Sequence, residues 1–365
     1  MSSRTTLWDA VIVGAGPAGS TAARFAAQGG ARVLLLERRE RVGEPVQCAE
    51  HVPAPLVGYL KRPREVLVQP VLAMRTVLPD GTETRLPAPG WIVHRDRMDQ
   101  DLAEQAVEAG ATLWTGARAV AWDGTALTVV RGRAVFRLRP RVLVGADGPA
   151  SSVGRWIGVR QAAFVHALQY RMPLTRSMAT ADVYFRDDCP GGYAWVFPKG
   201  GEANVGVGVD VRFGAAPSRA LERFVDELVR AGRVLPERRG KAAGRIPVGG
   251  LLPLRRGRVL LVGDAAGQCH PLTGAGVPSA VLCGELAGRA VAKAVATGNL
   301  GCLAEYEEEC RDLLGQSLAR AAARRQALEP FWKASKARLS RALRRHWVAF
   351  ETRTGSQEVT PVAVP

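Results

Sequence analysis

A glycine-rich turn between an apolar strand and an alanine-rich helix constrains this chain more than any other stretch. Residues 10–13 are apolar, residues 14–19 read GAGPAG, and the helix-favouring segment STAARFAAQGG follows. This order of strand, turn and helix is the one that a dinucleotide-binding fold requires. Gly14 permits the tight turn, Gly16 lets the backbone approach a pyrophosphate, and Gly19 lets the helix pack closely on the strand.

A second strand supports the same assignment. Residues 31–37, ARVLLLE, end in Glu37, where a carboxylate can accept hydrogen bonds from a ribose. We assign Glu37 and the adjoining Arg38 to the nucleotide site. The helix start at Pro17 and Ala18 belongs to the site as well, because a helix N-terminus supplies amide donors and a positive dipole. These features alone do not distinguish FAD from NAD.

Two later apolar strands also end in a glycine and an acidic residue. Residues 141–155, RVLVGADGPASSVGR, contain Asp147, and residues 257–280 contain Gly263 and Asp264 in GRVLLVGDAAGQCHPLTGAGVPSA. Three such turns at three strand ends are explained by a dinucleotide that lies across the edge of one sheet. We therefore predict that Asp147, Gly263 and Asp264 bind the cofactor.

With these three motifs in this order, the chain resembles the FAD-dependent oxidoreductases of the hydroxylase and geranylgeranyl reductase superfamily. The resemblance implies that Asp264 binds the ribityl chain of FAD and that Arg95, in HRDRMDQDLAEQA, lies near the cofactor. It also implies that the pyrimidine edge of the flavin faces the backbone of Gly274, Ala275, Gly276 and Val277. A helix N-terminus there can stabilise negative charge on a reduced flavin. His270 either points toward the flavin or caps its turn.

The fold class that these patterns predict is α/β: a discontinuous Rossmann-like FAD-binding domain, an inserted antiparallel β-sheet substrate domain and a C-terminal helical segment. Residues 65–90, with Asp80-Gly81 as a hairpin turn, and residues 161–239 alternate like antiparallel strands, with a helix near 217–231. The predicted domains are residues 1–64, 91–160 and 240–298 for FAD, 65–90 and 161–239 for the substrate sheet, and 299–365 for the basic segment. A site between domains is where ligands usually bind.

Three aromatic residues alternate in GGYAWVFPKGG, residues 191–201. Successive strand side chains point to opposite faces, so Tyr193, Trp195 and Phe197 share one face. If Gly200 and Gly201 form a hairpin turn, Trp195 pairs with Gly206 and Tyr193 with Gly208. Such rings ordinarily pack in a core. Glycines opposite them favour instead a flat slot for a substrate, with these five residues as its lining.

This segment resembles the substrate-cavity motif of the geranylgeranyl reductase family. It matches at Tyr193, Trp195, Phe197, Pro198, Gly206 and Gly208. The segment GEPVQCAEH places Cys48 where that family carries a cysteine beside the flavin. The resemblance covers roughly residues 9–300.

Our first functional hypothesis is an FAD-dependent reductase of C=C bonds in a prenyl or other apolar substrate. Reduced flavin would give hydride from N5, and an acid would protonate the other carbon. Cys48 and Tyr193 are the candidate catalytic residues, while the adjacent Glu50 and His51 cannot be ranked from sequence. A buried, inert thiol is the ordinary alternative for Cys48.

Two other functional classes are also consistent with these motifs. One is an FAD-dependent monooxygenase that hydroxylates an aromatic small molecule or peptide side chain through C4a-hydroperoxyflavin chemistry. The other is an accessory flavoprotein that docks an acidic partner. The electron donor is undecided between NAD(P)H, bound transiently because the chain has no second glycine-rich nucleotide fold, and a protein carrier.

The chain carries a formal charge of +16, and residues 311–353 contain 11 basic and 3 acidic residues. In FWKASKARLSRALRRHWVAF, residues 331–350, apolar residues fall on one helical face and basic residues largely off it. This segment could rest on an anionic membrane, bind an acidic protein, or simply pack on its own domain. A nucleic-acid partner is not expected, because no recognition fold accompanies the charge.

Targeting and cysteine patterns give further expectations. No apolar run approaches the ~20 residues that span a bilayer, and the first apolar run continues into the glycine turn rather than a signal cleavage site. We expect a cytoplasmic protein, at most peripheral at the inner membrane face. The six cysteines show no CxxC pair and no zinc-type spacing, so they indicate free thiols and no metal.

Overall fold

A computed structural model describes residues 6–350. Residues 1–5 of the predicted FAD-binding domain and residues 351–365 of the predicted basic segment lie outside the described residues. The strands are β1 (Thr6–Val13), β2 (Val33–Leu36), β3 (His51–Pro53), β4 (Leu67–Val77), β5 (Glu83–Val93), β6 (Thr112–Trp114), β7 (Ala117–Trp122), β8 (Leu127–Arg131), β9 (Ala134–Gly145), β10 (Phe164–Pro173), β11 (Thr180–Tyr184), β12 (Ala194–Lys199), β13 (Glu202–Val209), β14 (Gly240–Pro247), β15 (Arg255–Arg256) and β16 (Val259–Leu261). The helices are α1 (Pro17–Gln28), α2 (Pro63–Val66), α3 (Arg95–Glu108), α4 (Ser152–Trp156), α5 (Pro217–Arg230), α6 (Val277–Thr297), α7 (Leu303–Cys310), α8 (Gln316–Leu328) and α9 (Lys336–His346). A π-helical turn, Arg311–Gly315, joins α7 to α8.

The first sheet carries the glycine turn. Its order is β15-β16-β9-β1-β2-β6, with β7 and β8 attached beside β9, and β16, β9, β1, β2 and β6 run parallel. Its strands are apolar runs because both faces are covered, as in most parallel sheets. Helices α1 and α6 pack together on it. A Cβ on Gly284 or Gly288 of α6 would come within 2.6 Å of the carbonyl oxygens of Ala18 and Ala22, so glycine permits this close approach.

The second sheet has the order β14-β10-β13-β12-β11-β4-β5-β3. Its neighbouring strands are antiparallel, as predicted for the inserted sheet, except β4 and β11, which run parallel. Parallel neighbours need a long crossover, and here the intervening chain passes through the first sheet before it returns. The sheet also includes β3 and β14, which the predicted division assigned to the FAD-binding domain. The predicted helix near 217–231 is confirmed as α5.

The C-terminal helices pack on both parts of the molecule. Leu303 and Tyr306 of α7 belong to the core of the first sheet. Leu339 and Leu343 of α9 are buried with Phe185, the residue that follows β11 of the second sheet, so the apolar face of this amphipathic helix packs on its own chain. No helix in residues 6–350 combines the length and the apolar character that a bilayer crossing needs.

Candidate functional site

A cavity of about 530 Å³ connects the edge of the first sheet to one face of the second. On the first side it is lined by Gly16, Pro17, Ala18, Cys48, Arg95, Gly263, Asp264, Gly274, Ala275, Gly276 and Val277. On the second side it is lined by Met74, Leu168, Gln169, Val183, Tyr193, Trp195 and Phe197. The cavity therefore joins most of the residues predicted for the cofactor to the aromatic residues predicted for the substrate.

The glycine turn has the geometry that close approach of a ligand requires. Gly14 adopts a φ of +104°, and a Cβ there would lie 2.9 Å from the carbonyl carbon of Ala146, so this position requires glycine. A Cβ on Gly19 would overlap the carbonyl oxygen of Gly14. A Cβ on Gly16 would have no neighbour within 4 Å, which leaves its backbone open to the cavity.

The acidic residues at the strand ends differ in what they contact. Glu37 accepts hydrogen bonds from the backbone amides of Ala15 (3.1 Å) and Arg39 (3.0 Å), so its carboxylate lies beside the glycine turn. Arg38 is exposed and lies outside the cavity lining. Asp147 accepts hydrogen bonds from the amides of Ser152 (2.6 Å) and Val153 (3.1 Å), and so caps α4 rather than facing the cavity.

Asp264 presents a half-buried carboxylate to the cavity. It follows β16 in a 3-10 turn, Gly263–Ala266. Burial raises its pKa to about 6, although the positive charge of Arg95 opposes the shift. Among residues 6–350 no side chain or amide donates a hydrogen bond to this carboxylate, which faces the cavity. A polyhydroxylated ligand would supply the missing donors.

The start of α6 also opens into the cavity. The helix begins at Val277 with no side-chain cap, so its first amides and its positive dipole are available to a ligand. His270 does not point toward this space, because its Nδ1 accepts a hydrogen bond from the amide of Thr273 (3.2 Å) and caps the turn. The hydroxyl of Tyr193 donates to the carbonyl oxygen of Thr273, which ties the aromatic segment to the turn before α6.

Cys48 lies where the two parts of the molecule meet. Its Sγ accepts a hydrogen bond from the amide of Glu50 (3.2 Å). Arg95 is half-buried and binds Asp99 through two hydrogen bonds of 2.9 and 3.0 Å. Burial lowers the pKa of the Arg95 guanidinium, but the neighbouring Asp99 and Cys48 outweigh this effect and raise the pKa above the ordinary value. A cation therefore lies next to the Cys48 thiol.

Glu50 and His51, which the sequence could not rank, have different surroundings. Glu50 is 3% exposed and forms an ion pair of 2.6 Å with Lys199, a hydrogen bond of 2.9 Å from Asn204, and one of 3.1 Å from the amide of Arg95. Its φ of +70° is strained for a residue with a side chain. Burial lowers the pKa of His51, and its Nε2 contacts no polar partner in the described part of the chain.

The aromatic segment forms the predicted hairpin. Trp195 pairs with Gly206, and the carbonyl oxygen of Tyr193 accepts a hydrogen bond of 2.8 Å from the amide of Gly208, which confirms the register. The ring centroids of Tyr193, Trp195 and Phe197 are 6.1 and 6.4 Å apart in turn, and all three rings line the cavity.

The glycines do not leave an empty slot beneath these rings. A Cβ on Gly206 would overlap Cζ2 of Trp195, because the indole lies over the glycine backbone. The indole Nε1 of Trp195 donates a hydrogen bond of 3.3 Å to Oε1 of Gln169. The predicted slot is therefore filled by Trp195 itself, and the open volume lies on the side of the ring that faces the cavity.

Several residues that line the cavity were not predicted from the sequence. Gln169, Cys269 and Trp347 all line the cavity, and Lys199 pairs with Glu50 behind it. Trp347 belongs to the apolar face of the C-terminal amphipathic pattern, but that pattern does not indicate which surface the face covers. Burial raises the pKa of Cys269, as do the neighbouring Asp264 and Cys48.

The residues fit FAD on four structural observations. The backbone of Gly16 is open to the cavity, the carboxylate of Glu37 lies beside the turn, the half-buried carboxylate of Asp264 faces the cavity, and the first amides of α6 are free of a side-chain cap. In the same order, these four groups would contact the pyrophosphate, a ribose, the ribityl chain and the flavin edge of FAD.

Comparison with known proteins agrees with this arrangement. Residues 164–239 match the geranylgeranyl reductase catalytic domain, and residues 12–55 match the NAD(P)-binding Rossmann-like domain. Digeranylgeranylglycerophospholipid reductase of Methanocella arvoryzae is 34% identical over 340 residues, which cover 85% of this chain and 84% of that protein. The reductase of the same name from Methanothrix thermoacetophila is 35% identical over 338 residues, with 86% and 85% covered.

Solved structures show the same architecture. A geranylgeranyl bacteriochlorophyll reductase-like protein from Thermoplasma acidophilum superimposes with a TM-score of 0.82 at 26% identity, covering 94% of this chain and 97% of that one. The p-nitrophenol 4-monooxygenase of Pseudomonas putida has a TM-score of 0.72 at 18% identity, with 94% and 95% covered. The second likeness shows a shared fold alone.

Proposed function

Because this chain belongs to the geranylgeranyl reductase family of FAD-dependent oxidoreductases, we propose that it reduces C=C bonds in the prenyl chains of a lipid resembling digeranylgeranylglycerophospholipid. The observation that carries the proposal is the continuity of one cavity from the open backbone of Gly16 to the aromatic residues of β12. An apolar chain on those rings would lie beside a flavin held at the start of α6. The lipid class is taken from the digeranylgeranylglycerophospholipid reductases to which this chain is similar.

The cofactor site would be built from three strand ends. Residues 14–19 would bind the pyrophosphate, Glu37 and Arg38 the adenosine side, and Asp264 the ribityl chain. Arg95 and the backbone of residues 274–277 would lie near the flavin, with Asp147 supporting the edge through its cap on α4. When bound and reduced, FAD supplies a hydride to one carbon of the double bond.

The substrate would lie against the second sheet. Trp195 is held in place by Gln169 and by the backbone of Gly206, so it presents a fixed apolar surface. Tyr193 and Phe197 extend this surface on either side. Burial of an isoprenoid here excludes water from the reacting carbons and contributes about 25 cal/mol for each Å² of apolar surface removed from water.

Cys48 is our candidate for the proton donor. Its thiol lies next to the Arg95 cation, which would stabilise the thiolate left after the proton moves from Sγ to the second carbon. Tyr193 fits a positioning role better. Its hydroxyl already donates to Thr273, and burial raises its pKa above the ordinary value, so it retains its proton.

The donor that reduces the flavin would be NAD(P)H or a protein electron carrier. The matched NAD(P)-binding domain model covers residues 12–55, which include the turn assigned to FAD, so it does not indicate a separate nicotinamide site. Anaerobic mixing of the oxidised enzyme with NADH, NADPH or a reduced ferredoxin distinguishes these donors by the rate of flavin bleaching.

The decisive experiment follows the flavin spectrum of the holoenzyme. Enzyme reduced anaerobically with dithionite is mixed with a digeranylgeranylglyceryl phospholipid in detergent micelles, and the lipid is then analysed by mass spectrometry. We expect reoxidation together with a gain of two hydrogens for each reduced double bond. Absence of reoxidation by any prenylated lipid would overturn the proposal. Reoxidation only by oxygen, with a hydroxylated aromatic product, would favour the monooxygenase class.

The exposed side of α9 supports a second, linked proposal, that the enzyme contacts an anionic membrane surface. Lys336, Arg338, Arg341 and Arg345 are exposed, and no ion pair joins them to an acidic residue within 6–350. The apolar face of α9 is buried, so this contact would be electrostatic rather than by insertion. A surface of this charge would bring the enzyme to a membrane lipid.

A further inference from the structure

The cavity ends at a residue that the C-terminal segment contributes. Trp347 lies one residue beyond α9, is 2% exposed and lines the cavity. Its Nε1 donates a hydrogen bond of 3.2 Å to Oγ1 of Thr76 in β4. Its ring also contacts Phe185 and Tyr193 edge to face, with centroids 4.8 and 5.7 Å away. Contacts on three sides hold the indole in one orientation.

Strand register shows which end of the cavity this is. Trp195 of β12 pairs with Val183 of β11, and Val183 pairs with Thr76 of β4. These three residues form a row across the sheet, and the row reaches Trp347 at Thr76. In the opposite direction along the sheet, the cavity is lined by Gly244 and Arg245 of β14, which is an edge strand. Arg245 is exposed, so that end is the more open of the two.

The space behind Trp347 is apolar. The indole belongs to a buried cluster with Leu78, Leu339 and Leu343, and Val348 and Phe350 pack against the same cluster. If the indole were removed, the volume it leaves would be lined by hydrocarbon except at the hydroxyl of Thr76. Such a volume favours an apolar chain over water.

We propose that Trp347 is the end wall of the substrate cavity and limits the length of the prenyl chain that the enzyme accepts. The inference rests on the proposed function, because it assumes that an apolar chain lies along the row from Trp195 to Thr76. The residue is then a determinant of specificity, since it contacts the substrate's end rather than the reacting carbons.

The test compares chain lengths in W347A and the unaltered holoenzyme. Geranylgeranyl and geranylfarnesyl glycerol ethers, which differ by one isoprene unit, are titrated into the oxidised enzyme, and binding is read from the perturbed flavin absorbance. Reoxidation rates of the reduced enzyme give kcat/KM for the same two compounds. We expect W347A to raise the preference for the longer chain at least about tenfold, because burying a few additional carbons suffices for that change.

W332A is the matched control. Trp332 is 4% exposed, belongs to the same cluster and stacks on Phe185 at 6.4 Å, but it does not line the cavity. The W332A variant should lose stability as W347A does, but it should keep the chain-length preference of the unaltered enzyme. If W347A does not fold, W347L replaces it, because leucine also leaves room for a longer chain.

The outcomes separate the two proposals. An altered length preference in W347A but not in W332A supports the end wall. An unaltered preference in W347A, or the same change in both variants, overturns it while the proposed function stands. Failure of the unaltered holoenzyme to bind either prenyl ether overturns the proposed function, and the end wall with it.

Discussion

The indole of Trp195 lies over the backbone of Gly206, its partner in the hairpin of β12 and β13. A Cβ on Gly206 would lie 2.5 Å from Cε2 of the indole and 2.7 Å from Cβ of Gln169. We expect G206A to push the indole toward the cavity, to lower the free energy of unfolding by about 1–3 kcal/mol, the usual cost of overpacking, and to weaken prenyl-lipid binding.

Urea unfolding and lipid titration of the holoenzyme measure the two effects of G206A. G201A is the control in the same hairpin, because a Cβ there would have no neighbour within 4 Å. Equal stability and equal lipid affinity in the two variants would contradict the packing of Trp195 against Gly206.

The buried ion pair between Glu50 and Lys199 joins the Cys48 loop to the aromatic hairpin. K199M would leave the Glu50 carboxylate buried with hydrogen bonds from Asn204 and from the amide of Arg95 but without its paired lysine. We expect it to lower the free energy of unfolding by about 3–5 kcal/mol, as measured for broken buried pairs. Urea unfolding of the FAD-loaded protein measures the change.

An exposed pair and a double substitution control for K199M. Lys61 pairs with Glu108 at 2.5 Å, but both side chains are more than half exposed. K61M should therefore cost at most about 1 kcal/mol. Adding E50Q to K199M should restore part of the lost stability, because it removes the unpaired charge. A K199M protein as stable as K61M would show that the buried pair contributes little.

Local patterns predicted the strand ends and the hairpin register. The glycine turn, the strand ends at Asp147 and Asp264, and the hairpin register of Trp195 opposite Gly206 all depend on residues close in sequence or on strand alternation. Such features follow from backbone geometry, which a few residues determine.

Contacts between distant segments were not predictable in the same way. Trp347 meets Thr76 across 271 positions, and Lys199 meets Glu50 across 149. No periodicity specifies which buried face an amphipathic helix will cover. The position of the Trp195 ring over Gly206 also depends on a side-chain orientation that strand alternation leaves undetermined.

Substitutions at Cys48 and Tyr193 should separate proton donation from positioning. We expect C48A to bind FAD normally but to reduce prenyl lipid at least about 100-fold more slowly, within the range that a positioned acid contributes. Y193F loses its hydrogen bond to Thr273, so it should weaken FAD binding with a smaller effect on the rate. Flavin reoxidation and FAD titration measure the two quantities.

C189A controls for loss of a buried thiol outside the cavity. A C48A rate equal to that of C189A would exclude Cys48 as the donor.

Charge reversal on α9 tests the membrane proposal. We expect the unaltered protein to float with vesicles of phosphatidylglycerol and phosphatidylcholine at low salt, and K336E/R341E/R345E to lose this binding, because each basic residue near an anionic surface contributes about 1 kcal/mol. R118E/R133E/R139E makes the same change in net charge on the first sheet and should still float. Equal loss in both variants would show that net charge alone is responsible.

Asp264 should make FAD binding depend on pH. In the protein without cofactor, burial raises the pKa of this carboxyl from the ordinary 3.8 to about 6. Hydroxyl groups of a ribityl chain would donate to the ionised carboxylate and favour that form. FAD binding below pH 6 must therefore expel a proton, so affinity should fall about tenfold for each pH unit below 6 and stay level above it. D264N, which cannot ionise, should bind more weakly with no inflection near pH 6. Quenching of FAD fluorescence between pH 5 and 8 measures both profiles, and the same slope in D264N would assign the titration to another group.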